Sequence, residues 1–184
     1  MKTTVSTHKI PGYGSTARTA KRLTEQAVPV VNRAVPGRMP DVEVILTNER
    51  GMAEAMTAAD IALAGALDRR TLSRAERDAR RLAREIQARA IPRPDKSALI
   101  IIDVDKHPSP EAFAVTLVHE LTHAMQFSRK GVFERVVANT RAGFGIERQS
   151  RRAAREHDWL VGQEEAEAYG FEHLANRIVP GALA

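Results

Sequence analysis

Apolar residues recur along this chain with two periods, and the switches between them outline the elements. From Thr16 to Val35 they fall at Ala20, Leu23, Ala27, Val30 and Val31, the three-and-four spacing of one helix face. Pro29 interrupts that run and Pro36-Gly37 closes it, which predicts a helix broken at Pro29. Residues 41–47 alternate and are rich in β-branched side chains, so they predict a strand. Met52 to Leu67 is an alanine-rich helical stretch. From Asp68 to Ala90, Leu72, Ala75, Ala79, Leu82 and Ile86 trace a narrow apolar seam, predicting a charged helix stopped by Pro92 and Pro94. Ser97 to Val104 holds four aliphatics in a row, the signature of a strand covered on both faces. Ser109-Pro110-Glu111 then has the makings of a helix start: a capping hydroxyl, a proline at the first helical position and an early acid. That helix should run to about Lys130, before Gly131. A short segment follows at Val132–Ala138. Residues 139–158 contain glycine and much arginine and give no firm period. A last helix is expected from about Leu160 to Ile178, ahead of Pro180-Gly181.

The chain has 184 residues, of which 43% are hydrophobic. That suits one globular domain at residues 16–184, preceded by a loose basic arm at residues 1–15. Only 4% are aromatic, so the core must be built from Ala, Leu, Val and Ile. The elements predict an α+β fold: a small sheet including residues 41–47 and 98–104, packed by several helices. No apolar run approaches the roughly 20 residues of a membrane span, and the opening residues lack the apolar stretch of a secretory signal. A cytoplasmic location with no membrane partner is the expectation. The absence of cysteine removes disulfides, thiolate catalysis and cysteine-type zinc fingers, leaving histidine and carboxylate for any metal chemistry.

The net charge is +5, and it comes from arginine interleaved with acids. Arg69, Arg70, Arg74, Arg77, Arg80, Arg81, Arg84 and Arg89 share their segment with Asp68, Glu76, Asp78 and Glu85. This reads as a solvated helix with i,i+4 pairs, because no aromatic residue interleaves to stack a base. A second basic cluster is Arg148, Arg151, Arg152 and Arg155. Together the two support an alternative function: a nucleic-acid- or partner-binding protein with a structural zinc site.

The chemistry concentrates in His119-Glu120-Leu121-Thr122-His123. Histidines at i and i+4 lie on one helix face with Cβ atoms roughly 5–6 Å apart, so one divalent ion can bridge both rings. Imidazole suits zinc. Glu120 is turned about 100° around the axis, beside such an ion rather than on it, where a carboxylate can accept a proton from water. Phe113, Leu117, Val118, Leu121 and Met125 on the same helix predict burial. Two histidines and a glutamate in a buried helix require a compensating partner. The preceding strand, Leu99–Val104, is placed to pair with the backbone of an extended peptide.

His119-Glu120-Leu121-Thr122-His123 matches the HExxH motif, and over about residues 97–178 the chain resembles the zincin metallopeptidases. The longer signature of the metzincins is absent: Gln126 stands where its glycine belongs, and Gly131 is out of register. The resemblance is to the gluzincins, in their small bacterial or phage form, in which a glutamate on a later helix is the third ligand. It implies a zincin-like α+β fold, a zinc metalloendopeptidase acting on a peptide or protein, and Zn2+ held by His119, His123 and Glu165, with Glu120 as general base. Glu165 is followed three places later by the small residue Ala168, as in that family. Tyr169 occupies the next position, where the family often has an Asp or Asn that orients a ligating histidine. The apolar face defined by Leu160, Phe171, Leu174 and Ile178 instead favours Glu167 or Glu164, so three carboxylates remain candidates. Tyr169, His157 and His173 are candidates for stabilising an oxyanion. His8 and His107 carry no pattern, and Trp159 is expected to pack.

Overall fold

A computed structural model describes residues 1–183. Its strands are β1 (Thr3–Thr7), β2 (Val42–Thr47), β3 (Ala88–Pro92) and β4 (Ala98–Asp103). Its helices are α1 (Gly14–Ala34), α2 (Glu49–Ala64), α3 (Arg69–Glu85), α4 (Pro110–Phe127), α5 (Val132–Gly143) and α6 (Arg151–Phe171). Single 3-10 segments cover Val104–Lys106 and Glu172–Arg177. The fold is α+β. One sheet runs in the order β1-β2-β4-β3, with β1, β2 and β4 parallel and β3 antiparallel to β4 at the outer edge. No helix among the described residues is long and apolar enough to cross a membrane.

β4 shows why its sequence is aliphatic without alternation. All six of its residues are buried. Ile100 and Ile102 pack with Leu23 and Val31 of α1 and with Leu117 and Leu121 of α4. Leu99 and Ile101 pack on the opposite face with Met52 and Met56 of α2 and Ala83 of α3. Each fully buried isoleucine contributes about 1.5–3 kcal/mol, more than a helix cap or a surface ion pair supplies. The strand is therefore a rigid base for α4. Ser109 caps that helix as its sequence predicts, its hydroxyl accepting from the Ala112 amide at 3.3 Å.

Four expectations are corrected. Residues 3–7 do not form a loose arm but strand β1, paired residue for residue from Thr3↔Val42 to Thr7↔Leu46. Three of its five side chains are exposed, so an edge strand of this kind leaves almost no apolar signal. α1 passes through Pro29 unbroken. Pro29 is exposed, so the carbonyl it cannot serve faces water. The charged helix stops at Glu85 rather than running to Ala90, and β3 follows. Ala88, Arg89 and Ala90 favour helix by composition. Pairing with β4 overrides that preference, from Ala88↔Ile102 to Pro92↔Ala98. The last helix starts at Arg151, earlier than expected, where the Ser150 hydroxyl accepts from the Ala153 amide at 3.1 Å. It ends at Phe171, before the 3-10 segment.

The turn from α3 into β3 is fastened by one side chain. The Lys106 ammonium donates to the carbonyls of Ala83, Arg84 and Ile86 at 2.6, 3.0 and 2.6 Å, satisfying the end of α3. It also lies 3.7 Å from the buried Asp103, whose carboxyl is pushed up by burial. Lys106→Met should lower the unfolding free energy by about 2 kcal/mol, because it strips three carbonyls of their donor. Urea unfolding measures this, and an unchanged midpoint would show that the cap contributes nothing.

Candidate metal centre

α4 turns Leu117, Val118, Leu121 and Met125 into the core. This leaves His119, Glu120 and His123 on the side facing β3 and α6. The two imidazoles point the same way, with their Nε2 atoms 3.1 Å apart. Glu165 of α6 faces both: its Oε2 lies 3.4 Å from His119 Nε2 and its Oε1 3.4 Å from His123 Nε2. A tetrahedral ion with bonds near 2.0–2.1 Å separates its ligand atoms by roughly 3.3 Å. The spacing here matches that geometry, and two imidazoles with one carboxylate form a donor set typical of catalytic zinc. Among the described residues, these three form the group of His, Asp or Glu side chains able to hold a metal.

Glu164 and Glu167, the other two candidates, are engaged elsewhere. Glu164 pairs with Arg135. Glu167 takes two hydrogen bonds from Arg129, at 2.6 and 2.9 Å. The helical wheel pointed to them because it joined Leu174 and Ile178 to α6. Those residues lie in and after the 3-10 segment and do not define a face of the helix. Ala168 is the buried residue of α6. Its small side chain lets α6 come close to α4.

Both histidines are oriented from behind. His119 Nδ1 donates to Glu172 Oε1 at 3.0 Å, and His123 Nδ1 donates to Gln126 Oε1 at 2.8 Å. These bonds leave each Nε2 free for a cation. The Gln126 amide in turn donates to the Glu164 carbonyl at 2.9 Å and to Glu167 Oε2 at 3.0 Å. A continuous polar chain thus runs from Arg129 through Glu167 and Gln126 to His123. Sequence reasoning missed both orienting residues. Gln126 was detectable, lying three residues after His123 on the same helix face. Glu172 gave no signal, because it arrives from the segment after α6. It occupies the orienting role in place of Tyr169.

The electrostatics follow from burial and proximity. Burial pushes the Glu120 carboxyl above the usual carboxylate range, while His123, His119 and the Ala90 backbone amide act against it. The hydrogen bonds from His119 and His123 hold Glu165 well below that range. Burial lowers both histidines, but Glu165 and the charge of Glu120 outweigh it and the net shift is upward.

A cleft of about 500 Å³ opens over this group, walled by β3, α5 and α6. Tyr169 lies against the site, its ring centroid 4.9 Å from that of His119. His157 lines the cleft but bonds Arg135 at 3.1 Å. His173 bonds the Gly170 carbonyl and stacks on Phe171, away from the cleft. His107 is a packing residue, held by the Asp103 carbonyl and Thr116. The segment Leu99–Val104 cannot receive a peptide backbone, because β4 is paired on both edges by β2 and β3. The free edge beside the histidines belongs to β3.

Two arginines of α3 pair at the expected i,i+4 spacing, Arg80 with Glu76 and Arg81 with Glu85, and Arg84 pairs instead with Glu49 of α2; Arg69, Arg70, Arg74 and Arg77 reach no carboxylate among the described residues. Trp159 does not pack; it is 63% exposed.

If this group holds a divalent metal, Glu172→Ala and Gln126→Ala should each weaken its binding by roughly 10–100-fold, read by competition with a chromophoric chelator. Wild-type affinity in both variants would show that the Nδ1 contacts do not orient the rings. Comparison with known proteins identifies no relative: no protein-family model, curated protein or solved structure matches this chain.

Proposed function

We propose that this chain is a zinc-dependent metallopeptidase of zincin-like fold, with His119, His123 and Glu165 as ligands and Glu120 as general base. The observation that carries the reading is the convergence of two imidazole Nε2 atoms and one carboxylate at 3.1–3.4 Å, with a second, buried carboxylate alongside. Zinc held there would polarise a carbonyl and lower the pKa of a water toward roughly 7. Glu120 accepts the proton of the attacking water and delivers it to the leaving amine. Its burial supports this role by raising its basicity toward that of a working base.

β3 supports the same reading. The Asp103 amide donates to the Gln87 carbonyl, and the Arg93 amide donates to the Ser97 carbonyl. With the antiparallel register these bonds place odd-numbered residues toward β4 and turn the N–H and C=O of Ala88 and Ala90 away from it, with the Ala90 N–H on the Glu120 side. An extended peptide adding to this edge would lie across the cleft, above Glu120. Tyr169, whose ring lies beside His119, would donate to the oxyanion. The alternative of a nucleic-acid- or partner-binding protein with a structural zinc is less well supported. A structural site is closed by four protein ligands, whereas this group has three and opens on a cleft.

Glu120→Gln should retain one zinc per chain and lose hydrolysis of an unfolded protein substrate by about 10²–10⁴-fold. Metal analysis and a cleavage assay on the same sample test this, and sustained turnover in the zinc-loaded variant would remove Glu120 from the mechanism. Glu165→Ala should lose the metal and the activity together; full zinc occupancy in that variant would remove Glu165 from the ligand set.

A further inference from the structure

α6 has two faces with separate tasks. His157, Val161, Glu164 and Glu165 line the cleft. About 200° around the axis from His157 lies Trp159, the sole tryptophan of the chain, with 63% of its surface in solvent. An indole left in water is an unusual use of the largest apolar side chain. Its neighbours on that face are mostly basic, with one exposed acid, Glu156, three residues before it. Arg155 is one turn before it and Arg152 two turns before it, with Arg151 at the flank and Arg148 just ahead of the cap. All four are exposed. Nine other arginines of the chain reach a carboxylate. These four reach none among the described residues, as is true of nine more arginines, Arg69, Arg70, Arg74 and Arg77 of α3 among them, but only these four lie beside an exposed indole. Gly162, one turn beyond Trp159, has nothing within 4 Å of where a Cβ would stand, so a flat group laid on the indole would meet no side chain there.

We infer that the outer face of α6, Arg152, Arg155 and Trp159 with Arg148 and Arg151, binds single-stranded nucleic acid. The guanidinium groups take phosphates, and the indole stacks an unpaired base. Unpaired arginines match a polyanion, and an exposed aromatic ring among them selects one with accessible π-faces. A duplex hides those faces, and an acidic peptide lacks them. Neither phosphate contact nor stacking reads the sugar, so DNA and RNA strands are both candidates. The cleft lies on the other side of the helix, so this inference does not rest on the peptidase reading.

The test uses the full chain and oligonucleotides of about 12 residues: oligo(dT), oligo(rU) and a duplex. Because Trp159 is the only tryptophan, its emission reports this face alone. The expected result at roughly 50 mM salt is saturable quenching by oligo(dT), oligo(rU) or both, with weaker binding of the duplex. Trp159→Ala should weaken single-strand binding, read by anisotropy, about tenfold or more. The Arg152→Gln/Arg155→Gln double variant should flatten the log–log salt slope by about 1.4. Both variants alter exposed positions, and unchanged circular dichroism and an unchanged urea midpoint confirm that they fold. The inference is overturned by an absence of saturable binding, by binding that leaves Trp159 emission unchanged, or by wild-type affinity in folded Trp159→Ala. Equal binding of duplex and single strand, or displacement of the oligonucleotide by polyglutamate at equal charge concentration, would also overturn it.

Discussion

Three basic groups facing one point is the constraint on which this structure turns. Two imidazoles and a carboxylate have been brought within 3.4 Å of one another on the inner side of a cleft. Lone pairs so aligned are costly to bury unless a cation sits between them. Much of the architecture serves to hold that arrangement. β4, buried on both faces, fixes the start of α4. Ala168 lets α6 approach. Gln126 ties α4 to the backbone and side chains of α6 by two hydrogen bonds while orienting His123. Arg129 and Glu167 brace that contact with a bidentate pair, the stronger kind of charge-assisted bond.

The second requirement is an edge strand in the right place. β3 carries little that would make it a strand by itself. It is positioned by Lys106, which ends α3, and by the Arg89–Asp60 pair, bidentate at 2.9 and 3.1 Å, which joins it to α2. Its outward-facing amides and carbonyls then lie beside the histidines. The proposed metal chemistry and the proposed substrate docking thus depend on different contacts. Substitutions at one set need not disturb the other.

What the sequence made legible follows from where the information is local. HExxH lies within one helix, so the spacing of His119 and His123 already implied that the rings share a face. The burial of β4 was readable in Leu99 to Ile102, because four aliphatics in a row need cover on both sides. The pairing of β1 and the existence of β3 were not readable, since both depend on partners distant in sequence and on residues with weak or contrary preferences. The roles of Glu165, Glu164 and Glu167 could not be separated by periodicity, because the apolar pattern showed neither the start of α6 at Arg151 nor its end at Phe171, where the chain passes into the 3-10 segment. Glu172 was invisible for the same reason. Trp159 looked like a packing residue until the helix around it was found to project its outer face into solvent.

X-ray absorption at the zinc edge on the purified, zinc-loaded chain tests the central claim most directly. The account predicts one zinc per chain with four nitrogen or oxygen neighbours at about 2.0–2.2 Å and multiple scattering from two imidazoles. A shell of oxygen alone, or scattering from fewer than two rings, would contradict it.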